Sequence, residues 1–319
     1  MIRILADRLG GARMDSTYGR PELISARDAA RRKDLFHVSS ALAGELDPNV
    51  RADIAYVAAE ELVRRHGAEL PEWIDGWLTS SGDDAYAWML RGTHEVLRAW
   101  KVRGYQRAAH TKSGSFRSFW EILGDAEAMC RRAAHLAPED PTPWVLLVHM
   151  ARGQQVGVDQ TVERFAEVVA RCDTHLRGNE QLVLSLSPKW GTPVGVLQRF
   201  VENQYRSVPI GSPVRMNLVQ VYIERWFNLP STEKQAFVNR STVRKQAERT
   251  ISNWLDHGNV ESQQSLHNFA AFWYTITGQH SLARPHFEAS AEYVKEFPWS
   301  YMAFPVRSYR QGRRAALRG

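Results

Sequence analysis

The chain has 319 residues, 44% of them hydrophobic and 24% charged, and a net charge of +6; that balance excludes wholesale disorder. The charge is unevenly placed. The last 14 residues hold five arginines and no acid, the first 20 carry +2, and residues 21–305 carry −1.

Asp7 and Arg8 interrupt the N-terminal stretch where a secretory leader needs an unbroken apolar run. No apolar run approaches the ~18 residues of a membrane span. Cys130 and Cys172 match neither a disulfide framework nor a metal-ligand spacing. A reducing cytoplasm is the expected setting.

Residues 1–20 read as an N-terminal arm. From Pro21 onward the apolar spacing is helical, with no sustained alternation of the kind a sheet needs. Asp47-Pro48-Asn49 separates two helices and Gly67 ends the second. Leu70-Pro71-Glu72 opens the next, with proline at the first turn, where its missing donor costs nothing. Ser80-Ser81-Gly82-Asp83-Asp84 breaks and caps again, and Lys112-Ser113-Gly114-Ser115 reads as a linker. Pro138–Pro143, Ser187-Pro188, Gly211-Ser212-Pro213 and Leu229-Pro230-Ser231 mark later turns. Twelve to fourteen helices joined by short turns make one array over 21–305. A basic tail, 306–319, follows it.

The array carries traces of a 34-residue repeat. Ala126, Cys130, Ala133 and Pro138 fall on tetratricopeptide positions 20, 24, 27 and 32, with Trp144, Leu147 and Ala151 on 4, 7 and 11 of the next repeat. Ala271, Tyr274, Ala283, Phe287 and Ser290 fit positions 8, 11, 20, 24 and 27, within a hairpin over about 259–297. Small residues let paired helices approach closely, and the aromatic fills the space to the next hairpin. The expected fold is all-α: an α-α superhelix of degenerate tetratricopeptide-like hairpins.

Residues of about 73–224 resemble an uncharacterised actinobacterial family, a bacterial domain of unknown function with tetratricopeptide-like helices. The resemblance rests on Trp77, Ala99-Trp100-Lys101-Val102-Arg103-Gly104, Phe119 with the Ala126–Pro138 helix, Asp140-Pro141-Thr142-Pro143-Trp144, the Phe165 helix with Val169-Ala170-Arg171, and Leu186-Ser187-Pro188-Lys189-Trp190-Gly191. Family members usually continue with a second glycine and a serine, where this chain has Thr192-Pro193. The resemblance implies a helical-repeat fold and no established chemistry.

Catalytic motifs are absent. The eleven histidines form no metal-binding spacing, so neither a metal nor a cofactor is expected. Ser231-Thr232-Glu233-Lys234 lacks the companion motifs of a serine nucleophile and reads as a helix start. Cys130 sits at a repeat-core position and reads as a structural thiol.

Arg91–Arg117 stands out, with seven cations against Glu95 alone and Trp88, Trp100, Tyr105, Phe116 and Phe119 interleaved. Arginines among aromatics suit phosphates or acidic peptide groups; a solvated helix paired with acids at 60–84 is the plainer reading. Trp88, Arg91, Arg98, Trp100 and Arg103 are therefore binding candidates. Lys189 and Trp190 join them, at a turn that is either a packing hub or a ligand-facing rim. Trp299, Tyr301 and Phe304 either cap the array or form a docking patch. In the tail, Arg307, Arg310, Arg313, Arg314 and Arg318 either solubilise or attract a polyanion.

The expected function is a non-catalytic scaffold or adaptor that holds a protein or peptide in a groove. Nucleic acid is the lesser partner. A ligand-responsive regulator with a basic output surface and an enzyme of unrecognised type are the alternatives. The oligomeric state is not legible.

Overall fold

A computed structural model describes residues 11–104, 113–193, 195–258 and 263–318. These form seventeen α-helices, two 3-10 turns and two strands of two residues each. The protein is all-helical, as its periodicity requires. Instead of one array over 21–305, the chain divides into two compact units. One is Pro21–Val194; the other joins Met1–Arg20 to Gly195–Gly319.

The first unit holds α1 (Pro21–Arg31), α2 (Leu35–Gly44), α3 (Pro48–His66), α4 (Glu72–Ser81), α5 (Ala85–Arg103), α6 (Ser113–Leu136), α7 (Thr142–Gln154), α8 (Gly157–Arg171) and α9 (Leu176–Ser185). Its caps follow the turn residues. The Asn49 amide donates to the Asp47 side chain at 2.8 Å and the Tyr86 amide to Asp84 at 2.9 Å, which satisfies amides that a helix start leaves orphaned. Ser113 already belongs to α6, so the expected linker contributes only Lys112, which lies outside the described residues.

Successive helices pack side by side: α1 on α3, α3 on α5, α5 on α6, α6 on α7, and α7 on both α8 and α9. Small residues permit the approach. A Cβ at Gly92 would lie 2.8 Å from the Cys130 sulfur. Of the repeat-pattern positions here, Ala126, Cys130, Ala133, Leu147 and Ala151 are buried, Trp144 is half-buried and Pro138 is exposed.

The second unit holds β1 (Arg13–Met14), α10 (Val196–Ser207), α11 (Asn217–Asn228), α12 (Ser231–Val238), α13 (Ser241–His257), α14 (Gln264–Ile276), α15 (His280–Ser290), β2 (Tyr293–Val294), α16 (Glu296–Trp299) and α17 (Pro305–Arg318). Helices α14 and α15 form the expected C-terminal hairpin, with Ala271, Ala283, Phe287 and Ser290 in its core.

Two boundaries differ from the sequence reading. The described part of the arm is built into this unit, with β1 pairing in parallel with β2, Arg13 opposite Tyr293 and Met14 opposite Val294. The basic tail is helix α17, packed against α15. Its Tyr309 and Ala316 are fully buried, and the Tyr309 hydroxyl donates to the Ala291 carbonyl at 2.9 Å. A Cβ at Gly312 would meet Thr275 Oγ1 at 2.9 Å and Phe287 Cζ at 3.0 Å, so the glycine sets how closely α17 lies. Trp299 closes the core, Tyr301 stacks on Phe227 with centroids 3.8 Å apart, and Phe304 remains exposed.

Candidate functional site

The basic-aromatic segment of α5 does not form one groove, because its arginines part company. Arg91 is buried, pairs with Glu95 one turn on and reaches Asp75 of α4 at 3.1 Å. Arg98 holds the same Glu95, its Nε 2.8 Å from Oε2, and donates to the Ala68 carbonyl. Burial alone would raise the Glu95 pKa. Hydrogen bonds from His94 and Arg98 and the charge of Arg91 outweigh it and hold the carboxyl at about 2. Arg91 and Arg98 are thus struts of the fold rather than ligand-facing groups. Trp88 is half-buried and donates its indole N–H to the Gly82 carbonyl at 3.1 Å, packed against the core.

The other candidates converge. The centroids of Trp100, on α5, and Trp190, in the 3-10 turn Pro188–Trp190, lie 5.6 Å apart edge to face. The Arg103 guanidinium sits 5.5 Å from the Trp100 ring, 5.3 Å from Trp190 and 5.7 Å from Phe116. Burial lowers the Arg103 pKa. Lys189 is exposed on the same turn. Residues 105–112 of the segment lie outside the described residues.

Three further helices extend this cluster. His149 of α7 stacks between Trp100 and Tyr56 of α3, at 5.9 and 6.0 Å, and its Nδ1 hydrogen-bonds the Tyr56 hydroxyl at 2.9 Å. Arg177 of α9 lies 4.0 Å from the Tyr56 ring and pairs with Asp53. Arg152 of α7 lies 5.0 Å from Trp100 and donates to Gln181 Oε1 at 2.8 Å. Burial holds His149 well below its ordinary pKa, reinforced by the charges of Arg152 and Arg177. His149 is a neutral spacer between two rings.

A half-open cleft of about 410 Å³ adjoins this stack, walled by Arg152, Trp190, Thr161, Ser185, Val158 and Gly191, among others. That size suits a small ligand or a few peptide side chains. Among the described residues, Arg152 is the charged group of its wall. Among the described residues no cluster of His, Cys, Asp and Glu is arranged to hold a metal ion. Cys130 is fully buried and its thiol pKa is raised by that burial, the opposite of an activated nucleophile.

Sequence reasoning reached Trp100, Arg103, Lys189 and Trp190 but missed Tyr56, His149, Arg152 and Arg177. Those four lie on three other helices, and only the packing of α3, α7 and α9 brings them together. His149 and Arg152, three residues apart on α7 and so on one face, were the available signal.

No family model matches the chain, and neither the curated proteins nor the solved structures yield a match. Among the described residues no helix is long and apolar enough to cross a membrane.

Proposed function

We propose that the protein is a non-catalytic scaffold or adaptor. In this reading the Pro21–Val194 unit is a run of degenerate tetratricopeptide-like hairpins that holds a protein or peptide segment in the Arg152–Trp190 cleft. The carrying observation is the continuous stack from Arg177 through Tyr56, His149 and Trp100 to Arg103 and Trp190. Four helices and one turn contribute to it. Guanidinium and aromatic groups are the side chains that most often anchor a protein interface; here Arg152 and Trp190 reach the cleft wall and the buried Tyr56 and His149 back the stack behind them. Buried small residues at the helix crossings support the repeat reading. Among the described residues the cleft wall carries an arginine, hydroxyls and an indole, a lining suited to holding a peptide segment.

The test places a photo-crosslinker on the cleft wall, as Gln155→p-benzoylphenylalanine, in a lysate of the source cell. A single crosslinked polypeptide, lost in the Trp190→Ala background, is the expected result. No crosslink, or one indifferent to Trp190→Ala and Arg152→Ala, overturns the reading.

A further inference from the structure

The stretches forming the second unit, Met1–Arg20 and Gly195–Gly319, carry 20 Lys and Arg against 11 Asp and Glu, a net +9, whereas Pro21–Val194 carries −3. The protein's positive charge therefore belongs to one unit, and α17 is its most cationic element, with five arginines and no acid.

Helix geometry sorts those arginines. At 100° per residue, positions 307, 314 and 318 fall within about 40° of one another and span roughly 16 Å of the axis. All three are exposed. The opposite face, Tyr309, Gly312 and Ala316, is buried in the unit, so the stripe is held in place. Arg310 tightens the docking by donating to the Ala12 carbonyl at 2.9 Å. Acids on and beside the supporting helix α15 are engaged elsewhere, Glu288 by Arg284 and Glu292 by Arg13. At the N-terminal end of the stripe, Phe304 is 65% exposed with the Arg307 guanidinium 6.0 Å from its ring.

We propose that the outer face of α17 binds single-stranded nucleic acid, with Arg307, Arg314 and Arg318 following the phosphate backbone and Phe304 offering a ring on which a base stacks. Such surfaces pair a cationic track with an exposed aromatic. A lipid surface fits less well, because an interfacial helix needs a free apolar face and that of α17 is already used.

The experiment measures fluorescence anisotropy of a labelled 20-nucleotide oligothymidine with the full chain at 50 and 200 mM salt. Three phosphate contacts predict that affinity falls about 20-fold over that interval. Arg307→Gln/Arg314→Gln/Arg318→Gln should weaken binding at least tenfold at 50 mM salt and flatten its salt dependence, with the thermal midpoint unchanged because all three side chains face solvent. Phe304→Ala should cost about fivefold or more. The proposal is overturned by no binding at 50 mM salt, by a triple variant or a Phe304→Ala variant that binds like the wild type, by equal or tighter binding of a duplex of the same length, or by preferential binding to phosphatidylserine vesicles. None of these outcomes bears on the cleft of the other unit.

Discussion

The two units use the same element, the packed helical hairpin, and fill it with opposite chemistry. Among the largest fully buried side chains, Phe119 is the single aromatic from the first unit; the other seven, Trp254, Trp273 and Trp299 among them, belong to the second. Among the described residues the first unit buries more charge, Glu61, Arg91, Glu95, Asp140 and Arg164, against Glu224 in the second. Glu95 lies between Arg91 and Arg98, Glu61 accepts from Arg31, Arg64 and Arg65, and Asp140 pairs with Arg51 at 2.9 Å. The first unit's buried carboxylates hold arginines in its interior, whereas Arg307, Arg314 and Arg318 of the second unit face solvent. A buried ion stabilises only while every partner is present; an aromatic contact spreads its contribution over many weak ones. The two interiors should therefore fail differently.

The largest difference is expected at Glu95. Glu95→Gln keeps the shape but removes the charge that Arg91 and Arg98 share, leaving Arg91 with the exposed Asp75 and Arg98 with the neutral Ala68 carbonyl, which should cost the first unit about 3–5 kcal/mol. Amide exchange in α5 should accelerate accordingly, with that of α14 and α15 unaffected; a loss under about 1 kcal/mol would show that the network is not a strut. Acid makes the same point without mutation. The folded-state pKa of Glu95 is depressed to about 2, so its contribution is complete above the ordinary carboxylate range and is lost as pH falls through 2. That contribution is on the order of 3 kcal/mol.

The second unit has its own acid sensitivity, in a histidine pair inside its aromatic core. His267 and His286 share a hydrogen bond of 3.0 Å between their Nδ1 atoms, and His286 stacks on Trp254 and Tyr274. Burial lowers them to about 4 and about 3, the charge of His267 adding to the shift of His286. Both are neutral in the folded state while the unfolded chain takes up protons below about 6.5, so stability falls from there as pH drops toward 4. At pH 5 the pair should cost roughly 4 kcal/mol. His286→Phe leaves one titrating group, and urea unfolding at pH 7 and pH 5 should show the difference shrink to about 2 kcal/mol. An unchanged difference would place the acid response elsewhere.

A smaller effect is expected where α17 docks. Gly312→Ala puts a methyl against Thr275 and Phe287. Thr275 can turn, but the Phe287 ring is fixed edge-on to Tyr309 at 5.0 Å. Overpacking of about 1–3 kcal/mol, offset by the helix propensity gained over glycine, leaves a net loss of about 1 kcal/mol, readable as a lower urea midpoint. No loss would mean that α17 is not held by this contact.

Helix existence and capping were legible because they are local. Asp47, Gly67 and Asp84 punctuate the chain where the periodicity changes. The division into two units was not, since Thr192-Pro193 resembles every other turn and the partition depends on which helices pack. Helix α17 was misread because its composition outweighed its period; Tyr309, Gly312 and Ala316 already trace one small-and-apolar face. Arg91 and Glu95, four apart, were a readable ion pair, but burial decides its role, and burial is set by α4 and α6 lying over it. Half of the stack was named from the sequence, at Trp100, Arg103 and Trp190. The other half lies on helices whose approach depends on contacts distant in sequence.

Arg103 joins the two chemistries, a cation of the first unit held against the rings of Trp100, Trp190 and Phe116, and it supplies the smallest test. A guanidinium over a partly desolvated indole is worth about 0.5–2 kcal/mol, and a planar group can lie against two rings where an ammonium presents a point charge. Arg103→Lys keeps the charge and loses the plane. The cost should be about 0.5–1 kcal/mol, with altered emission from Trp100 and Trp190, whose rings lie 5.5 and 5.3 Å from the guanidinium carbon. If stability falls and crosslinking from position 155 survives, Arg103 serves the packing of the stack alone. If crosslinking falls while stability holds, the same ring contacts shape the cleft, and the first unit spends this cation on recognition rather than on its core.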